Sequence, residues 1–198
     1  MQGKSILSIA SGAALFIFAA SAMAAMSMPY GWYIEANGGS SHLTGKSYPG
    51  SASSSGFGGN GNLGYKFLPY IAAEMGYTRY ANTSIKNGAG TRVATDKHYS
   101  YDIAAKGILP VATTGIDLFA KLGLERINSK VSVNNTAGAL ALGISSSSHS
   151  TTSVYVGAGG QYNLLPELAL VVQWQRAQGN SSTGNEDLFS GGIAFIFG

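Results

Sequence analysis

A base, a hydroxyl and an acid stand together in "HYSYD", as His98, Ser100 and Asp102. A serine nucleophile needs its base at about 3 Å. If the segment is a strand, these alternate residues project side by side with Cα atoms roughly 6 to 7 Å apart, too far for a direct proton relay. His42, His98 and His149 form a second set, but no ligand spacing links them, and plain rim residues are expected rather than a metal site. The chain has no cysteine, which removes thiolate ligands, cysteine nucleophiles and disulfides together. "GFGGNG", residues 56–61, has the glycine content of a phosphate loop but lacks the following helix and the lysine in register. It reads as a glycine-rich strand, and no cofactor is expected.

What remains is charge in apolar surroundings. "FLPYIAAEMGYTRY", residues 67–80, is apolar and aromatic at alternate positions yet carries Glu74 near its middle. Glu35, Asp102 and Glu125 sit in comparable segments, as do Lys66, Lys106 and Lys121. A carboxylate in such a place needs a cation facing it.

The elements that must supply that arrangement follow a short leader. Lys4, an apolar run over residues 6–20 and the small-residue spacing Ala22-Met23-Ala24 read as a secretory signal over residues 1–24. The run is shorter than the roughly 20 residues of a spanning helix. Residues 25–198 then form a single domain. The formal charge is +3, there is no block of like charge, and charged residues are only 11% of the chain, so no nucleic acid groove is expected.

No second apolar run is long enough for a membrane helix, so the domain is either soluble or crosses a bilayer with strands. Alternation marks eight strands, over residues 32–40, 57–67, 71–78, 97–109, 115–125, 153–162, 168–176 and 188–197. In each, one face is apolar and the other collects the polar groups. Residues 71–78, for example, divide into Ile71, Ala73, Met75 and Tyr77 against Ala72, Glu74, Gly76 and Thr78.

Connections alternate in length. Short turns with Pro69, Pro110 and Pro166 alternate with long polar stretches over residues 40–56, 81–96, 127–150 and 178–187. This is the pattern of an eight-stranded antiparallel up-and-down transmembrane β-barrel, all-β, with its polar list inside. Aromatic residues near the ends of the apolar lists suit interfacial girdles, and the eleven tyrosines suit a belt better than a core. The closing "GGIAFIFG" is an alternating aromatic strand of the kind that directs barrel assembly.

With that order of segments, "WY" at 32–33, "EMGY" at 74–77, "AKG" at 105–107, "AKLG" at 120–123, "LPE" at 165–167, "QW" at 173–174 and the final "FG" resemble the transmembrane barrel of OmpA-like outer-membrane proteins and small OmpX-like barrels. The resemblance implies a charge network in the barrel interior, and the inward residues Glu35, Glu74, Asp102, Lys106, Lys121 and Glu125 are expected to form it here. Within it Glu74 falls at the family's central lumen glutamate, Lys106 at a partner lysine and Lys121 at an arginine. A further family cation, on the seventh strand, aligns with Ala169. The same resemblance implies export to the bacterial outer membrane, insertion by the barrel-assembly machinery, an envelope-stiffening role, and loops that meet host or surface ligands.

The basic residues of the long-loop end, Lys46, Arg79, Lys86, Arg92, Lys97, Arg126, Lys130 and Arg176, are expected to form a rim facing outer-membrane lipid and lipopolysaccharide phosphates. Two other functions stand beside the structural one. "HYS" at 98–100 matches the bare His-x-Ser of lipid A deacylases, but position 112, where their acid stands, is alanine. A narrow solute channel is the other, opposed by an interior already filled with side chains.

Overall fold

The computed structural model describes residues 30–112 and 114–197; the leader expected over residues 1–24 lies outside them. The chain runs through β1 (Gly31–Thr44), β2 (Ser51–Ser53), β3 (Ser55–Leu68), β4 (Ile71–Arg79), β5 (Thr83–Lys86), β6 (Arg92–Val111), β7 (Ile116–Val133), α1 (Thr136–Ala141), β8 (Ser147–Leu165), β9 (Leu168–Ala177) and β10 (Asn185–Phe197). Of these ten strands β2 and β5 pair with each other outside the ring. The other eight follow the order β1-β3-β4-β6-β7-β8-β9-β10 and close through β1 on β10, every pairing antiparallel.

Alternation produces the two faces. Along β6 from Asp96 inward the buried residues are Asp96, His98, Ser100, Asp102, Ala104, Lys106 and Ile108, while Tyr101, Ile103, Ala105 and Leu109 are exposed. Leu122 is 63% exposed and Val172 67% exposed, values that a water-facing strand would not choose for such residues. The apolar list faces outward and the polar list inward, as a bilayer requires.

Short turns close the inner end. Pro69 and Tyr70 join β3 to β4, and Pro166 and Glu167 join β8 to β9. Gly115 adopts φ 72° before β7, a conformation that favours glycine. The aromatic girdle there includes Trp32, Tyr65 and Phe67, with ring centroids 5.2 and 4.8 Å apart along the series.

The lumen is packed in layers. Near the inner end Tyr33, Ile108, Phe119, Val171 and Ile196 form an apolar layer. Farther out Tyr80, Ile127, Ala177 and Leu188 form a second. Beyond the membrane Ile85, Val93, Ala94 and Val131 form a third, against which Tyr48, Leu142 and Ile144 pack. The belt expected to hold all the tyrosines therefore needs correction: Tyr33, Tyr80 and Tyr155 lie inside the barrel, because their hydroxyls are long enough to reach lumen carboxylates and amides while their rings fill it.

The long connections are also more ordered than their polar composition implies. β6 begins at Arg92 and β7 runs to Val133, so both strands project past the lipid-facing apolar list, and α1 sits in the β7–β8 connection. Asn135 caps α1, its side chain accepting a hydrogen bond from the Gly138 N–H at 3.0 Å.

Candidate functional site

Two of the polar clusters inside the barrel hold ion pairs. The deeper is an ionic square. Lys106 Nζ lies 3.2 Å from Glu35 Oε2 and 3.1 Å from Glu74 Oε1, and Lys121 Nζ lies 3.4 Å from Glu35 Oε1 and 2.8 Å from Glu74 Oε2. All four side chains are buried. The strand pattern places them: Glu35 is on β1, Glu74 on β4, Lys106 on β6 and Lys121 on β7, each at an inward position, with Lys106 and Lys121 directly opposed in register. That opposition would be repulsive on its own. Two carboxylates between the lysines make the square neutral.

Polar neighbours complete it. Tyr33 donates to Glu74 at 2.6 Å, and Asn37 and Asn62 donate to Glu35 at 2.8 and 3.1 Å. The Lys106 ammonium stands 4.3 Å from the Phe119 ring centroid, a cation–π contact on the inner side. Alternation alone did not identify Tyr33 and the two asparagines as members. Their inward parity was visible, but only cross-barrel geometry brings them to the carboxylates.

Asp102 and Glu125 are opposed in register farther out, both buried. Glu125 accepts from Tyr80 at 2.8 Å, and among the described residues neither acid has an ion-pair partner. The sequence-level network of six thus divides into a bonded square and a separate acidic pair. Ala169, at the position of the family's further cation, is fully buried in the inner apolar layer.

The second cluster closes the outer mouth. Lys46 Nζ reaches Asp96 Oδ2 at 2.6 Å and Ser129 Oγ at 2.7 Å, and Tyr48 donates to the same Asp96 oxygen at 2.9 Å. Lys46 is therefore not a lipid-facing residue: the β1–β2 connection folds inward over the mouth, and a buried carboxylate holds the ammonium there. Burial would raise the Asp96 pKa, but hydrogen bonds and charge from His98 and Lys46 outweigh it and hold the carboxyl well below its ordinary range. Burial, with Asp96 beside it, pushes the Tyr48 phenol up.

His98 sits between two acids, with Nε2 3.2 Å from Asp96 and Nδ1 3.1 Å from Glu186. The contact with Glu186 lacks hydrogen-bond geometry, and both Glu186 oxygens are buried without a hydrogen-bond partner. Burial first, then the neighbouring Asp96 and Glu125 carboxylates, raises the Glu186 pKa well above its ordinary value.

Both ring nitrogens of His98 are thus turned toward acids, and Ser100 is directed to the Tyr80 hydroxyl at 3.5 Å instead. His98, Ser100 and Asp102 share a face without forming a relay. His42 is exposed and bonded to Ser55, and His149 is exposed on β8, so the three histidines do not converge. No set of three ligating side chains for a metal occurs among the described residues.

The remaining basic residues divide by position. Lys86 and Arg92 oppose each other on the β5–β6 hairpin, and Arg176 is half-buried with Asp187 at 3.6 Å. Arg79, Lys97, Arg126 and Lys130 are exposed on the outer face of β4, β6 and β7.

Comparison with known proteins follows the same architecture. The family described as outer membrane protein beta-barrel domain matches residues 10–197. The solved structure of Neisserial surface protein A superposes with TM-score 0.60 at 18% identity, over 84% of this chain and 97% of that one. OprG from Pseudomonas aeruginosa gives TM-score 0.60 at 13% identity, over 88% and 99%. Ail of Yersinia pestis, solved in complex with a heparin analogue, gives 0.51 at 16% identity, over 84% and 99%. No curated protein matches the chain.

Proposed function

The chain belongs to the outer membrane protein β-barrel family, and we propose that it is a non-enzymatic anchor in the bacterial outer membrane whose ordered outer extensions make contact with host or abiotic surfaces. Residues 1–24 serve as a cleaved leader, and the barrel-assembly machinery inserts the remainder. The observation that carries this reading is the combination of a lumen filled along its length with extensions that continue past the bilayer as paired strands. An interior closed by the ionic square and the mouth cluster supports anchoring rather than transport. β2, β5, α1 and the outer halves of β6, β7 and β8 build a packed platform that barrel closure does not need.

Support against a hydrolase comes from His98 and Ser100 pointing to different partners. The test joins two measurements on one strain. Outer-membrane fractions should contain the chain in a form whose gel mobility changes on boiling, and cells carrying it should adhere more than cells carrying a version with its outer extensions replaced by tight turns. Equal adhesion by both removes the display function. A change in lipid A mass that Ser100→Ala abolishes replaces it with an enzyme.

A further inference from the structure

We propose that the outer face of β4, β6 and β7 is a binding site for one phosphorylated, multiply acylated lipid of the outer leaflet, the chemistry of lipid A. Register assembles the headgroup half. Lys97 opposes Lys130, Tyr99 lies between Arg79 and Asn128, and Tyr101 lies between Tyr77 and Arg126. These outward positions form three successive rows, so four cations surround three tyrosines in a patch roughly 13 Å tall and 10 Å wide. The tyrosine rings contact one another with centroids 5.3 to 6.3 Å apart and mark the bilayer interface. Arg126 also donates to Ser150 on β8 at 3.2 Å.

Two features make this sector more than a solvated rim. Directly opposed lysines on neighbouring strands destabilise a sheet unless an anion sits between them, and Lys97 and Lys130 have no carboxylate in ion-pair contact among the described residues. The patch is also one-sided. At the corresponding height on β1, β9 and β10 the only outward Lys or Arg among the described residues is Arg176, and Asp187 already pairs with it.

The acyl half is independent of charge. Immediately inward of the Tyr77–Tyr101–Arg126 row lies a groove of about 600 Å³ that these strands share with β1 and β3, lined by Ala73, Met75, Ile103, Ala105, Leu122 and Leu124 on this side and by Trp32, Leu63 and Phe67 on the other. A ligand that is anionic above and apolar below, with the join at the tyrosine row, matches both halves at once. A soluble polyanion would satisfy only the upper half.

The test uses the full chain purified from outer membranes in mild detergent, with lipid A, dephosphorylated lipid A and dextran sulfate as probes. Lys97→Gln with Lys130→Gln should weaken retention of lipid A about ten- to thirty-fold, the effect of two interfacial cations. Lys86→Gln with Arg92→Gln removes equal charge from the hairpin and should leave retention unchanged. The native protein should hold dephosphorylated lipid A no better than the first double variant holds lipid A. Ala105→Phe, which fills the groove, should lower retention several-fold.

Equal losses in the two double variants would reduce the site to diffuse charge and overturn the proposal. So would equal retention of both lipid forms, or dextran sulfate binding at the patch in place of lipid A. Unchanged retention in Ala105→Phe would overturn the acyl assignment. All substitutions are on exposed positions, and gel mobility before and after boiling reports folding separately, so a failed site is distinguishable from a failed barrel.

Discussion

Glu186 shows how one buried side chain sets a pH response. Its carboxyl lies above the outermost lipid-facing aromatic of β10, Phe189, and has no hydrogen-bond partner for either oxygen. A folded-state pKa raised above the unfolded value means that the contribution to stability is full below the unfolded value, near 4.5, and falls as pH rises through the folded value. Asp96 runs the other way: its lowered pKa gives stability that is present above about 3.8 and lost on acidification. Glu186→Gln keeps the shape without the ionisation. It should match the native protein near pH 4 and exceed it increasingly as pH rises above 4.5, read as urea midpoints in lipid vesicles. A constant difference across pH would show that Glu186 is charged in both states. In the ionic square, removing one member leaves an uncompensated buried charge, so Lys121→Met should cost about 3 to 5 kcal/mol. The double variant Glu74→Gln with Lys121→Met should recover part of that loss in a double-mutant cycle, and strict additivity would show no coupling. Strand parity made the inward direction of Glu35, Glu74, Lys106 and Lys121 legible. Parity does not carry depth along the barrel, and so it left Asp102 and Glu125 grouped with a square that lies a layer deeper.

At the level of the strand, alternation was enough to locate eight ring segments because lipid and lumen impose opposite demands on neighbouring residues. It failed where lipid ends. Past Tyr99 on β6 and past Arg126 on β7 the outward face has left the hydrocarbon, both faces accept polar residues, and the pattern that would mark a strand disappears although the ladder continues to Ala94 and Val133. The seam between β1 and β10 has a constraint of a different kind. A Cβ on Gly192 would stand 1.9 Å from the Ala36 carbonyl oxygen and one on Gly39 1.9 Å from that of Phe189, whereas a Cβ on Gly191 would meet nothing nearer than Val171 O at 3.5 Å. The backbones of the closing pair approach too tightly for a side chain at two positions, and one residue away they do not. Gly192→Ala should therefore destabilise the barrel by at least the roughly 1 to 3 kcal/mol of an overpacked site and lower refolding yield, while Gly191→Ala stays close to native. Equal behaviour of the two would mean that the seam relaxes freely. The lipid face gives a second contrast. Leu122→Arg places a charge at an exposed lipid-facing position and should cost about 2 to 4 kcal/mol, whereas Ser190→Asn keeps a polar residue at an inward, lumen-facing position and should cost less. Equal tolerance in a vesicle refolding titration would contradict the inside-out arrangement.

The whole molecule consists of two stacked bodies with different solvents. The lower is a ring whose outer surface is lipid and whose interior is polar. The upper reverses this, burying Ile85, Val93, Ala94 and Val131 under Tyr48, Leu142 and Ile144. Lys46 and Tyr48 fasten the β1–β2 connection to the mouth through Asp96, so the connections depend on one another. Deleting residues 45–50 alone would uncover both Asp96 and the apolar cluster. That variant should still insert, but residues 83–96 should become sensitive to added protease, because their covering has gone while their own apolar residues remain. Replacing all four outer extensions with tight turns removes the cover and the covered together. The trimmed ring keeps the β1–β10 closure and the ionic square, both of which lie at membrane level. It should therefore refold into vesicles with native yield, resist protease, and change gel mobility on boiling, while losing adhesion to cells and surfaces. Failure of the trimmed ring to insert would show that the platform takes part in folding, and the separation of anchor from display would then be wrong.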